Sequence, residues 1–233
     1  MTGRRARAAG ARRSDLILFL GPSLPAAEAR AIAPCTVLPP ARQGDVWRAL
    51  SRRPRAIALV DGLFEQVPSV WHREILDALA AGVRVLGGAS MGALRAAELA
   101  PFGMAGVGTI ARWVAEGRID DDAVALLHAG PEHGWAPFTV PLVNVLCAAE
   151  RARAAGVLGV REARALEAAA RRLFYQDRTW PALLAALGRR WGPAARARWR
   201  AWAARGLPDL KAEDARATIR AAARAARRAG RRR

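Results

Sequence analysis

The chain is poor in the residues that most often build reactive sites. Its 233 residues include three histidines, two cysteines and one lysine, Lys211; the other 37 basic residues are arginine. Cys35 and Cys147 are too few for a disulfide framework or a cysteine metal site. No histidine pair stands at helical spacing and no G-x-x-x-x-G-K phosphate loop occurs, so no metal and no cofactor is expected. No apolar run reaches the roughly 18 residues of a membrane span, and no apolar signal core directly follows the basic N-terminus. The expectation is a cytoplasmic protein without membrane contact.

What the chain does have is 52% hydrophobic residues and a formal net charge of +18. The hydrophobic share excludes disorder, and the length suffices for one large or two small domains. Residues 1–13 carry +5, residues 14–149 carry −2 and residues 150–233 carry +15. The charge therefore lies in an N-terminal arm and a C-terminal half. Near-total use of arginine over lysine, with abundant alanine, reads first as codon bias of a GC-rich genome. A docking face for an acidic protein comes second. Nucleic acid ranks last, since no zinc-finger spacing or RNA-binding aromatic motif is present.

Short apolar runs at 16–20, 36–38, 56–60 and 83–86 read as buried strands, and 123–127 as a further one. Segments between them read as helices, including 24–33, 43–53, 68–81, 90–99 and 106–117. This alternation predicts an α/β fold: an open, mostly parallel sheet of about four or five strands flanked by helices. Beyond residue 140 the pattern turns to alanine- and arginine-rich helices. The expected plan is a disordered basic arm (1–13), an α/β core (14–140), a helical region (141–205) and a basic tail, partly helical or disordered (206–233).

The sharpest motif is Gly88-Ala89-Ser90-Met91-Gly92, a G-x-S-x-G between a predicted strand and helix. That is the context of a nucleophile elbow, with Ser90 as nucleophile and amides around Met91 and Gly92 as oxyanion donors. The plainer alternative makes Ser90 only a helix N-cap. His72, at a helix start where the dipole favours neutral imidazole, is a candidate base. Asp61, closing a strand, is a candidate orienting acid. His128 follows Ser90 in the order of an α/β-hydrolase triad and is the alternative histidine. Arg95 and Glu98 stand three apart on one helix and read as an ion pair or, for Arg95, an anion clamp. Gly21 and Ser23, after the first strand, offer further backbone donors at the same edge.

Several stretches together resemble the TfuA-like family. They are Ile17 to Leu24, Val60-Asp61-Gly62-Leu63-Phe64, Pro68 to Leu76, Gly88 to Leu99, Phe102 to Gly108, Asp121-Asp122 through His128, Pro141-Leu142-Val143-Asn144, and Phe174 to Trp180. The resemblance spans about 15–180. The family often reads G-A-S-S-M-G where this chain has Gly87-Gly88-Ala89-Ser90-Met91-Gly92. The resemblance implies a partner of a YcaO enzyme in forming peptide-backbone thioamides. The implied role is hydrolysis of a thiocarboxylated ThiS-type sulfur carrier, releasing sulfide for the precursor peptide or target protein held by YcaO. A non-catalytic adaptor that docks on YcaO or delivers its substrate is the alternative.

Overall fold

A computed structural model describes residues 15–63, 65 and 67–230; the basic arm expected at 1–13 lies outside them. Five strands form one all-parallel sheet: β1 (Leu16–Phe19), β2 (Thr36–Leu38), β3 (Ala56–Leu59), β4 (Arg84–Gly88) and β5 (Ala105–Val107). Their order is β2-β1-β3-β4-β5. The α/β expectation therefore holds. The connecting helices are α1 (Ala26–Ile32), α2 (Asp45–Leu50), α3 (His72–Ala80) and α4 (Met91–Leu99), with α5 (Gly108–Ala115) after the last strand.

One strand differs from its expected place. Ala123 to Leu127 enters no ladder; Asp121–Val124 is a 3-10 turn, and His128 makes only an isolated antiparallel bridge with Pro137. A short apolar run signals burial, not pairing, and Ala123 and Val124 are buried without being sheet. The fifth strand is Ala-Gly-Val at 105–107, too short and too glycine-like to stand out.

Alternation along the strands builds two cores. Ile17, Phe19, Ile57, Leu59 and Val85 face one side, covered by α2 to α5 and continuous with the helical half: α6 (Leu142–Ala154), α7 (Val160–Arg172), α8 (Trp180–Ala186) and α9 (Pro193–Ala203). Trp180, Trp191, Trp199 and Trp202 cluster there, with ring centroids 5.3–5.6 Å apart. Arg178 is almost fully buried; it donates to the Ala170 and Leu173 carbonyls at the end of α7. The other face, with Leu16, Leu18, Ala58, Val60 and Leu86, is covered by α1 and by α10 (Leu210–Gly230).

Helix α10 is the basic segment that closes the sequence, and it carries two different faces. Ala215, Ile219, Ala222 and Ala226 are buried on the sheet, while its arginines face outward or flank it. Polar residues on the buried side are each engaged. Asp214 accepts from the Thr109 and Ile110 amides and so caps α5. Thr218 sits where a Cβ on Gly88 would meet its hydroxyl at 2.2 Å, so β4 needs glycine there. No helix among the described residues is long and apolar enough to cross a membrane.

This arrangement makes α10 part of the core. Ala222→Glu places an unpaired charge against the sheet and is expected to cost several kcal/mol in urea unfolding. Arg224→Glu, on the exposed side of the same helix, is expected to stay within about 0.5 kcal/mol of the parent.

Candidate functional site

The strand order reverses at β1: β2 lies on one side, β3 to β5 on the other. Open parallel sheets bind ligands beyond the carboxyl ends of the strands at such a reversal. Asp61 stands there, two residues past β3 and 1% exposed. It reaches across to the turn after β1. One carboxylate oxygen accepts the Gly21 amide at 2.8 Å and the Ser23 amide at 3.1 Å; the other accepts the Ser23 hydroxyl at 2.6 Å. Three donors on a buried carboxylate hold both strand ends at a fixed spacing.

Ser90 lies at the neighbouring strand end, between β4 and α4. The turn is tight because backbone meets backbone. A Cβ on Gly92 would stand 1.7 Å from the Leu59 carbonyl oxygen, and one on Gly87 2.0 Å from the Gly92 carbonyl oxygen. Gly92 instead donates its amide to Val60 at 3.1 Å. Ala89 carries the left-handed φ of 66° that the turn requires, a conformation rare outside glycine, asparagine and aspartate. Ser90 occupies the N-cap position of α4, yet its side chain makes no capping bond. The hydroxyl is thus left without a partner among the described residues.

A cavity of about 140 Å³ opens in front of it, lined by Ser90, Asp61, Pro22, His128, Tyr175 and Lys211 among others. His128 is tied through Nδ1 to the Ala129 carbonyl at 2.8 Å and packs edge-on against Trp135. A carbonyl only accepts, so this bond puts the proton on Nδ1 and leaves Nε2 as the acceptor in neutral imidazole. Tyr175 donates to Glu65 on the far wall. A larger groove of about 720 Å³ adjoins through Leu63 and Trp135. It is lined by Leu38, Pro39 and Pro40 with Arg42, Arg48 and Arg52, and by Asp45, which pairs with Arg42 and Arg48.

The sequence-chosen residues fall into two places. Asp61, Ser90 and His128 share the cavity; Gly21, Ser23, Gly88, Met91 and Gly92 form the turns around it. His72, Arg95 and Glu98 form a separate cluster. His72 Nε2 and Arg95 both meet the same Glu98 oxygen, at 2.8 and 2.7 Å. Arg95 also donates to the Val70 carbonyl and the Ser69 hydroxyl, tying α4 to the start of α3. The His72 side chain is about half exposed (49%) and does not line the cavity.

Lys211 is the cavity residue that sequence reasoning missed. It is 2% exposed, on the first turn of α10, and its ammonium nitrogen donates to the Val124 carbonyl at 2.9 Å. Asn144 accepts its backbone amide and donates to Asp209, which caps α10 through the Ala212 amide. Burial pushes the Lys211 ammonium below its ordinary value, against the opposing pull of Asp61 and Asp209. The available signal was its singularity: the one lysine among 37 arginines.

A family model described as TfuA-like protein matches residues 61–179, just over half of the chain. No curated protein matches the chain.

Two outcomes test this geometry. Ser90→Ala is expected to cost less than about 0.5 kcal/mol of stability, because no cap is lost; Thr179→Ala is expected to cost about 1 kcal/mol. The Thr179 hydroxyl does accept the Ala182 amide, at the start of α8. Equal losses in thermal melts would mean that Ser90 caps its helix after all. The second outcome concerns Lys211. Because its folded value lies below its ordinary 10.5, the unfolded chain binds the proton more tightly between those two values. Stability of the parent relative to Lys211→Met should therefore rise with pH toward 10.5, by at most about 1.4 kcal/mol per unit. The comparison is needed because Cys147, pushed up to about 11 by burial, drives stability the other way above 9.0, and Cys35 and Tyr175 are raised as well.

Proposed function

Since the chain belongs to the TfuA-like family, we propose that its cavity hydrolyses the thiocarboxylate of a small sulfur-carrier protein and releases sulfide. Membership supports a role in the YcaO-associated thioamidation system. Within that system the sulfide would go to a YcaO enzyme, which replaces a backbone amide oxygen of its precursor peptide or target protein. The observation that carries the reading is Ser90: buried at a strand-to-helix turn, released from capping, and facing a cavity at the sheet's reversal point.

The chemistry fits the site. A thiocarboxylate is an acyl group with sulfur as the leaving atom. Ser90 Oγ attacks the carbonyl carbon, the C–S bond breaks, and the serine proton leaves with sulfur as HS⁻. Water then cleaves the acyl-serine ester, restoring Ser90 and freeing the carrier as a carboxylate. The oxyanion of each step would lie at the start of α4. There the Met91 amide has no acceptor among the described residues, and the helix dipole is positive. Asp61 orients this site by holding the Gly21 to Ser23 turn.

The carrier itself is read from the surroundings. Its extended terminus would lie in the apolar groove that leads to the cavity, and Arg52, which has no ion pair among the described residues, would meet an acidic residue beside that terminus. The His72–Glu98–Arg95 cluster, where the start of α3 meets the second half of α4, would contribute to carrier contact.

Sulfide release from a thiocarboxylated ThiS-type carrier tests the reading. The parent should release sulfide, and Ser90→Ala should slow it at least about a thousandfold without loss of fold. If the parent releases none, while thioamidation supplied with free sulfide still requires it, the protein is an adaptor of YcaO.

A further inference from the structure

The cavity lies at the carboxyl ends of the strands. The opposite end of the sheet holds a second concave surface, and helix α10 reaches both. Its first turn carries Lys211 in the cavity wall. Its last residue, Gly230, abuts Arg55, which stands just before β3 and pairs with Asp15 just before β1. The helix therefore runs against the strands, from their carboxyl ends to their amino ends.

Near that far end a groove of about 590 Å³ lies between α10 and the starts of β4 and β5. Ala221, Ala225 and Ala229 form one row along it, spaced four apart on the helix. Arg84 and Leu86 of β4 stand across from them, with Ala105 of β5. Arg84 alternates in step with Leu86, so it points to the face that α10 covers. Ala105 is the register partner of Leu86 and is exposed, on a strand with a neighbour on one side only. At Gly82 and Gly103 an added Cβ would meet nothing within 4 Å, so the rim is open.

Charge sets this groove apart. Three of its eleven lining residues are arginine, Arg84, Arg224 and Arg228, and none is acidic. All three are exposed, and their side chains have no hydrogen bond or ion pair among the described residues. Arginines beside other parts of α10 are matched: Arg216 by Glu28, Arg151 by Glu213 and Arg55 by Asp15. Cations in the last turn of a helix offset its dipole, which accounts for Arg228. It does not account for Arg224, more than a turn earlier, or for Arg84, on a strand. Like charges gathered around one hollow repel each other, and an anionic group bound between them relieves that repulsion.

The lining also states what fits. Small side chains on the floor let another backbone approach and take up short apolar groups. The guanidinium groups at the sides receive carboxylates, singly or in forked pairs. No aromatic side chain lines the groove for a base to stack on, which favours a protein segment over a nucleic acid strand.

We propose that this groove is the docking site for an acidic, partly apolar segment of a partner protein. Carboxylates of that segment meet Arg84 on the strand side and Arg224 and Arg228 on the helix side, and its small apolar residues lie along the alanine row. The site is separate from the cavity: Ala221 stands ten residues beyond Lys211, about 15 Å along the helix axis. A partner seated here leaves the carboxyl edge of the sheet open, so a second protein can deliver its terminus to the cavity without competing.

The probe is a fluorescein-labelled amphipathic peptide of glutamate, alanine and leucine, followed by fluorescence anisotropy. The parent protein should bind it saturably, and the same peptide with glutamine in place of glutamate should not bind. Arg84→Glu and the double variant Arg224→Glu/Arg228→Glu should each weaken binding at least about tenfold. Ala225→Trp, which fills the groove and leaves the charge unchanged, should do the same. Arg189→Glu/Arg190→Glu alters net charge as much as the first double variant, on exposed residues of the helical half, and should stay within about twofold of the parent. A benzophenone on the peptide should crosslink to residues 82–86 or 221–229, and near-ultraviolet circular dichroism should match across the variants. No binding by the parent, an equal loss in Arg189→Glu/Arg190→Glu, or full binding by Ala225→Trp overturns the site. Single-stranded DNA that binds more tightly than the peptide, and is lost in the same arginine variants, overturns it in favour of nucleic acid. None of these readouts depends on sulfide release.

Discussion

One buried carboxylate sets the geometry on which the rest depends. Asp61, two residues past β3, is almost wholly buried, so its charge must be met by the protein. The turn after β1 meets it with two amides and a hydroxyl. Those bonds cross the point where the strand order reverses. The floor of the cavity is therefore a pair of strand ends clamped by electrostatics. Everything placed around it, from Ser90 on the next strand to Lys211 on the far helix, inherits that fixed spacing.

A second constraint is steric. Gly87 and Gly92 exist because α4 leaves β4 with its first turn pressed onto the backbone of β3. Neither residue contributes chemistry, yet together they present Ser90 outward and free its hydroxyl from the helix. The third constraint comes from α10, whose inner side carries an alanine stripe and three polar residues with separate duties. Lys211 enters the cavity, Asp214 caps α5, and Thr218 fills the space left by Gly88. Alanine brings the helix close enough for those short contacts; larger side chains would hold it off the sheet.

How legible was this in the sequence? The first four strands were, because each is a short apolar run bounded by turn residues. The G-x-S-x-G turn was legible for the same steric reason that makes it necessary. Asp61 was found by its place at a strand end, although its partners, Gly21 and Ser23, were noticed only as neighbours of the edge. His72 shows the limit. It does open the helix after β3, as its sequence context implies, but ten residues separate it from Asp61. It therefore faces Glu98 on α4, outside the cavity. The fifth strand was misplaced because three small residues at 105–107 carry less apolar signal than Ala123 to Leu127. Lys211 is hidden by distance and by company: it lies far along the chain, at the head of an arginine-rich helix in a segment that reads as a basic tail, partly helical or disordered.

The position of α10 has a consequence for the life of the molecule. Synthesis runs from the amino end, so β1, Asp61 and Ser90 emerge long before Lys211 does. Until α10 is made and seated, one face of the sheet is covered by α1 alone and the cavity lacks a wall. Chains cut short before α10 thus present the Ser90 turn with one wall of the cavity missing, and that wall arrives in a single late packing event.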